Sequence, residues 1–283
     1  MAKAKSKTVK VGKKTVAFAR PPFNPGGTPV GWSFWNTTLT CWRMWFLKYV
    51  EGLYPLETAK ELLLGSAYHG FLEGYTAAEI AAKGPEYAAV VSEAQRLYIA
   101  RMAPTAPPLP KDVVSVEKME MVPGIPMSSK PDRIEKAQSG NQVREFKTAN
   151  TFRETDAQSW AVSGEVIGEM MASGTESAVV DIISKRDGRV RQIEVRLTPE
   201  KKSALIGLVM DLREQVALRM KAWGKGLASE DLDRVFPRNL SNCGYQYGRV
   251  CPYYERCWSK SGGAHLFTRR PASGWRKFLG LNG

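Results

Sequence analysis

Residues 130–148, Lys-Pro-Asp-Arg-Ile-Glu-Lys-Ala-Gln-Ser-Gly-Asn-Gln-Val-Arg-Glu-Phe-Lys-Thr, read as two strands folded back on one another. The period-two runs Ser128 to Glu135 and Gln142 to Thr148 flank the turn-forming Ser139-Gly140-Asn141. Side chains alternate along a strand, so Glu145 and Lys147 share a face while Phe146 points to the opposite layer. Asp132 precedes Glu145 by thirteen residues, and the turn folds its strand beside that of Glu145. Two carboxylates and a lysine then converge. Oxygen ligands suit Mg²⁺ or Mn²⁺, and an adjacent lysine orients an attacking water or stabilises charge on a phosphate, an apparatus for phosphodiester hydrolysis. Taken alone, D-x₁₂-E-x-K arises often by chance and equally describes ordinary exposed charges on one strand face.

Outward from this hairpin, Val113 to Met121 extends it into a meander. A helix from Thr155 to Ala172 follows, then strands Ala178 to Lys185 and Val190 to Leu197 around Asp187-Gly188, then a long helix from Pro199 to Trp223. Upstream, Trp42, Trp45, Phe46 and Tyr49 form the stripe of an amphipathic helix that starts at Thr40 and ends near Gly52. Helices are expected over Leu56 to Ala82 and Pro85 to Met102, before a proline-rich break at Pro104 to Pro110. Helices before a strand group, then helix and more strands, predict an α/β fold, a mixed central sheet flanked by helices. The expected organisation is a basic segment over 1–31, one domain over 32–258 and a basic tail over 259–283.

The 283 residues are 43% hydrophobic and 24% charged, which excludes the disordered and collagen-like classes. The net charge of +13 makes an acidic polymer such as nucleic acid the natural partner. Nearly all of that excess sits in residues 1–14 and 258–283, which contain no acid; such ends also serve simply to solubilise. The first residues lack the apolar core of a signal peptide and no apolar run approaches a membrane span, so a cytoplasmic location is expected. In that compartment Cys41, Cys243, Cys251 and Cys257 stay reduced, which favours metal ligation over disulfides. By ligand type alone, zinc and an iron–sulfur cluster are equally served. Either would clip the first helix to the C-terminal segment.

Gly65-Ser66-Ala67-Tyr68-His69-Gly70-Phe71-Leu72-Glu73 places His69 and Glu73 on one face of the second expected helix, where an imidazole would bias a carboxylate site toward Mn²⁺. In order, G-x-x-x-H-x-x-x-E, P-D, E-x-K and a helix bearing Gln158 resemble the RecB-type nucleases of the PD-(D/E)xK superfamily. One cysteine before this core and three after it, Cys243-x₇-Cys251-x₅-Cys257, resemble the branch that carries an iron–sulfur cluster. That branch includes the CRISPR-associated RecB-like nucleases, the AddB nuclease domain and phage exonucleases. Thr38 to Phe46 is also similar to the family's first-cysteine helix, although Trp42 stands where proline is common and Val162 where tyrosine is.

The resemblance implies a restriction-endonuclease-like core. It makes His69, Asp132 and Glu145 metal ligands, with the Phe146 carbonyl a further one, Lys147 the catalytic lysine and Gln158 an active-site residue. It also implies a four-iron four-sulfur cluster at the cysteines, with zinc as the alternative. The function implied is a Mg²⁺- or Mn²⁺-dependent deoxyribonuclease, an exonuclease on DNA ends or single strands, in the host cytoplasm if phage-encoded. Two competitors stand beside it: a non-catalytic nucleic-acid-binding protein with a four-cysteine zinc site, and a nuclease subunit active only within a recombination or CRISPR-adaptation complex.

Overall fold

The computed structural model describes residues 9–11, 14–16, 30–56, 59–102, 112–116, 118–224, 231–243, 250–258, 263–270, 274–279 and 281. It is a mixed α/β fold. Its sheet contains β1 (Val113–Val116), β2 (Arg133–Ala137), β3 (Gly140–Ala149), β4 (Ser177–Ser184) and β5 (Val190–Arg196), in the spatial order β5-β4-β3-β2-β1. All neighbours are antiparallel except β3 and β4, which run parallel. A parallel pair needs a crossover, here the helices α5 (Asp156–Ala161) and α6 (Gly164–Ser173).

Both sheet faces are covered. Over the face carrying Phe146 lie α3 (Lys60–Leu72) and α4 (Val91–Met102), which bury Leu64, Tyr68, Phe71 and Leu97 with Phe146 and Ile183. Val143, Val180 and Ile182 face the larger core, built with Val166 and Met170 of α6 and Leu205, Val209 and Val216 of α7 (Pro199–Trp223). Helix α7 matches its expected span, because Thr198 caps it through the Lys201 N–H and Pro199 occupies the first turn.

Other expected helices are shorter or divided. Helix α1 (Trp32–Thr40) stops at Cys41, whose extended backbone starts α2 (Trp42–Trp45), and Phe46–Val50 continues as a π-helical turn. The expected run 155–172 breaks at Val162-Ser163, where Ser163 adopts extended backbone and begins α6. In place of 56–82, α3 ends at Leu72 and Thr76 caps a separate short helix, Ala77–Ala81, with a reciprocal Thr76–Glu79 capping box. Within the expected strand 113–121, β1 ends at Val116, and Glu120–Met121 pairs instead with Ser128–Ser129.

The described residues of the stretch read as a basic tail, 263–270, 274–279 and 281, belong to the fold. Phe267–Arg269 pairs with Leu53–Pro55, Trp275 and Leu279 are buried, and Trp275 Nε1 donates to the Tyr49 carbonyl at 2.8 Å. Trp275 packs against Phe34 and Trp45 at ring separations of 5.7 and 5.3 Å. Gly52 makes this return possible: its φ is +68°, and a Cβ there would lie 2.2 Å from the Arg270 carbonyl oxygen. No helix among the described residues is long and apolar enough to cross a membrane.

Candidate active site

The hairpin register fixes the site. Ala137 pairs with Gly140 and Arg133 with Arg144, so the next residues outward, Asp132 and Glu145, face one another. The Asp132 N–H lies 3.4 Å from Glu145 Oε2, and Asp132 Oδ2 accepts from the Phe146 N–H at 2.8 Å. From the layer above, α3 delivers His69, whose Nδ1 lies 3.1 Å from Asp132 Oδ1. Lys147, two residues beyond Glu145 on the same face, bonds Glu145 Oε1. Four residues singled out from sequence, His69, Asp132, Glu145 and Lys147, thus come together. Phe146 contributes its N–H to the arrangement while its ring is buried on the opposite face. Gln158 is exposed on α5, and none of the site's hydrogen bonds reaches it.

Two further carboxylates complete the cluster. Helix α6 brings Glu165 and Glu169 to Glu145, one carboxylate oxygen from each of the three lying within 4.8 Å of the others. Lys147 Nζ is 3.4 Å from Glu165 Oε1. The close approach of α6 depends on Gly164, where a Cβ would stand 2.3 Å from the ring of Trp32. The sequence signal for this pair is glutamates four apart among Val166, Ile167 and Met170, a spacing that puts both on one helical face.

Burial sharpens the electrostatics. Glu145 is 2% exposed; burial first, then the charge of Asp132, push its carboxyl up to about 8 despite Lys147. Glu169 is raised by burial and by Glu145 and Glu165. Burial lowers the imidazole of His69, but Asp132 more than offsets this and holds it up at about 9. Burial raises Asp132 too, yet His69, Lys147 and the Phe146 N–H drive it well below the usual carboxylate range. His69 is therefore the charged partner of Asp132 in the cation-free protein, and to serve as a ligand it must release its proton.

These shifts set a pH dependence. A raised carboxyl contributes stability that is present below its ordinary value of 4.5 and lost as pH climbs through about 8. His69 contributes in the same sense, with its loss completed through about 9, whereas Asp132 holds everywhere above strong acid. In chelator, the melting temperature should fall between about pH 5 and 9, and Glu145→Gln should flatten the part of that fall due to Glu145. Thermal melts across this range check it; a wild-type melting temperature that rises with pH would contradict the assignment.

Behind the site, a buried ionic network locks the strands. Asp181 of β4 accepts from Arg101 Nη2 at 2.5 Å, Arg144 Nη1 at 3.0 Å and Gln192 Nε2 at 2.8 Å. Arg144 Nε also donates to Glu135 at 2.7 Å, and Arg133 Nη2 to the Leu72 carbonyl at 3.0 Å. These buried ion pairs and hydrogen bonds tie together the strands whose register sets Asp132 against Glu145.

The oxygen donors of Asp132 and Glu145 fit a hard divalent cation. Cys41, Cys243 and Cys251 lie close enough to Cys257 for each to act on its thiol. Cys41 Sγ accepts from the Met44 and Asn239 N–H groups at 3.5 Å each, and the Cys251 N–H donates to the Cys243 carbonyl at 3.3 Å. Burial, then Cys251 and Cys41, push the Cys257 thiol up to about 12. Thiolates on one tetrahedral zinc stand about 3.8 Å apart, given a bond of about 2.3 Å. Among the described residues no three cysteine sulfurs lie within even 4.8 Å of one another. The spacing is wider than in a closed zinc site.

No family model and no curated protein matches this chain. Among solved structures, the crystal structure of SSO0001 is similar over 30% of this chain and 39% of that one, with 14% identity and a TM-score of 0.25.

Proposed function

We propose that this protein is a metal-dependent DNA nuclease of the RecB-like type, acting on DNA ends or single strands. The observation that carries the reading is the meeting of Asp132, Glu145 and Lys147 on paired strands, with His69 reaching Asp132 from the facing helix. The order of elements supports it: a helix with the histidine, a three-stranded meander, a crossover helix and a parallel fourth strand suit a restriction-endonuclease-like core.

Asp132 and Glu145, with His69 once deprotonated, would hold Mg²⁺ or Mn²⁺. The cation supplies polarisation of the scissile phosphate and a lowered pKa for bound water. Lys147 keeps its proton, because Glu145 and Glu165 offset the burial that would lower it, and it serves as a fixed positive charge beside the developing phosphorane. The Phe146 N–H and His69 hold Asp132 ionised and oriented. A four-iron four-sulfur cluster on Cys41, Cys243, Cys251 and Cys257 would be structural, tying the first helices to the C-terminal segment. Basic residues supply salt-sensitive attraction to the DNA backbone.

Protein purified without oxygen and given end-labelled linear and circular single-stranded DNA in Mn²⁺ should consume the linear form and spare the circle. Cutting of circles would make the same site that of an endonuclease. Salt-sensitive binding without cleavage of either would favour the non-catalytic binding protein, and cleavage only with an added helicase or integrase the partner-dependent subunit.

A further inference from the structure

We propose that Glu145, Glu165 and Glu169 form a second divalent-cation subsite, on the α6 side of the candidate active site, with Glu145 shared between the two positions. One oxygen from each carboxylate lies within 4.8 Å of the others. The independent observation is at Glu169, which is 3% exposed and whose Oε2 is buried without a hydrogen-bond partner. A buried carboxylate oxygen with no donor carries an uncompensated desolvation cost. Protonation would relieve the charge, but the nearest acceptors for that proton are the Glu145 and Glu165 oxygens of the same cluster, each within 4.8 Å. A cation satisfies its lone pairs.

Charge balance points the same way. Lys147 bonds Glu145 and lies 3.4 Å from Glu165, so one ammonium faces three carboxylates. The three donors are all oxygens, a set suited to Mg²⁺, Mn²⁺ or Ca²⁺ and distinct from the imidazole-containing Asp132 side. The cluster is also rigid. Val166 and Met170 bury the flanks of α6, and Gly164 seats it against Trp32. Ligands on a packed helix hold their geometry better than ligands on a loop.

A cation held by Glu145, Glu165 and Glu169 would add a second Lewis acid to stabilise charge on the phosphate. That use rests on the nuclease reading; occupancy of the subsite does not, and the two are tested apart. Calorimetric titration of the full-length protein with Mn²⁺ alone should give two sites in the wild type and one in Glu169→Gln, the remaining site keeping its affinity. Asp132→Asn should remove the other. Glutamine has the shape of a protonated glutamate, so a merely structural buried acid predicts wild-type Mn²⁺ binding in Glu169→Gln, and that result would overturn the subsite. So would a single wild-type site weakened by both substitutions. If Glu169→Gln fails to fold by circular dichroism, Glu165→Gln, at a side chain 37% exposed, reads the same loss of one site. Two Mn²⁺ sites without DNA cleavage would fault the nuclease reading and leave the subsite standing.

Discussion

Glu145→Ala should lower the proposed Mn²⁺-dependent DNA cleavage by at least about a thousandfold, or ~4 kcal/mol of transition-state stabilisation. The size follows from how many parts meet on this one side chain. Its oxygens lie against the Asp132 N–H and the Lys147 ammonium and stand within 4.8 Å of Glu165 and Glu169. Removing it takes a ligand from both proposed cation positions and one of two acidic partners from Lys147. The fold survives, because a carboxyl held up at about 8 by burial is itself costly to ionise there, and Lys147 retains Glu165. Melting and circular dichroism close to wild type, together with lost cleavage, are the expected pair of results. Wild-type turnover in this variant would remove Glu145 from the chemistry. Were the alanine variant to unfold, Glu145→Gln keeps the shape and reads the same loss.

The hairpin at 130–148 was legible because two local rules agree there: alternation puts Glu145 and Lys147 on one face, and a tight turn brings Asp132 opposite Glu145. Helix α7 was legible for the same reason, its cap, its Pro199 and its apolar positions all pointing to one span. What escaped depended on tertiary context. Glutamates four apart usually mark a solvated helix face, and only the approach of α6 to β3 turns Glu165 and Glu169 inward. The break at Val162-Ser163 is weak in sequence; just after it, Gly164 leaves no room for a Cβ beside Trp32. The basic composition of 259–283 concealed Trp275 and Leu279, whose burial needs a pocket assembled from α1 and the residues that follow it. Cys41 fell just inside the expected start of an aromatic-striped helix, yet the chain opens into extended backbone there and turns its thiol toward Asn239.

Cys41→Ser separates a cap from a cluster by magnitude. Without any metal, Cys41 is the N-cap of α2, its sulfur accepting the Met44 N–H at 3.5 Å, and it receives a second N–H from Asn239. Serine replaces a capping acceptor well, and even complete loss of a cap costs about 1 kcal/mol, worth about 3 °C of melting temperature in a chain of this size. Asn239 Nδ2 and Asn242 Nδ2 still donate to the Thr40 carbonyl at 2.8 and 3.1 Å, so the two segments stay in register. A cluster shared by Cys41 and Cys243 instead closes a loop of some 200 residues only in the native state. By loop-closure entropy alone such a link is worth roughly 5 kcal/mol. Cys41→Ser should then lower the melting temperature of anaerobically purified protein by more than about 10 °C and bleach its visible absorbance, with solubility falling before the carboxylate site is touched. A shift of no more than about 3 °C with unchanged colour would leave Cys41 as a cap and remove it from any cluster.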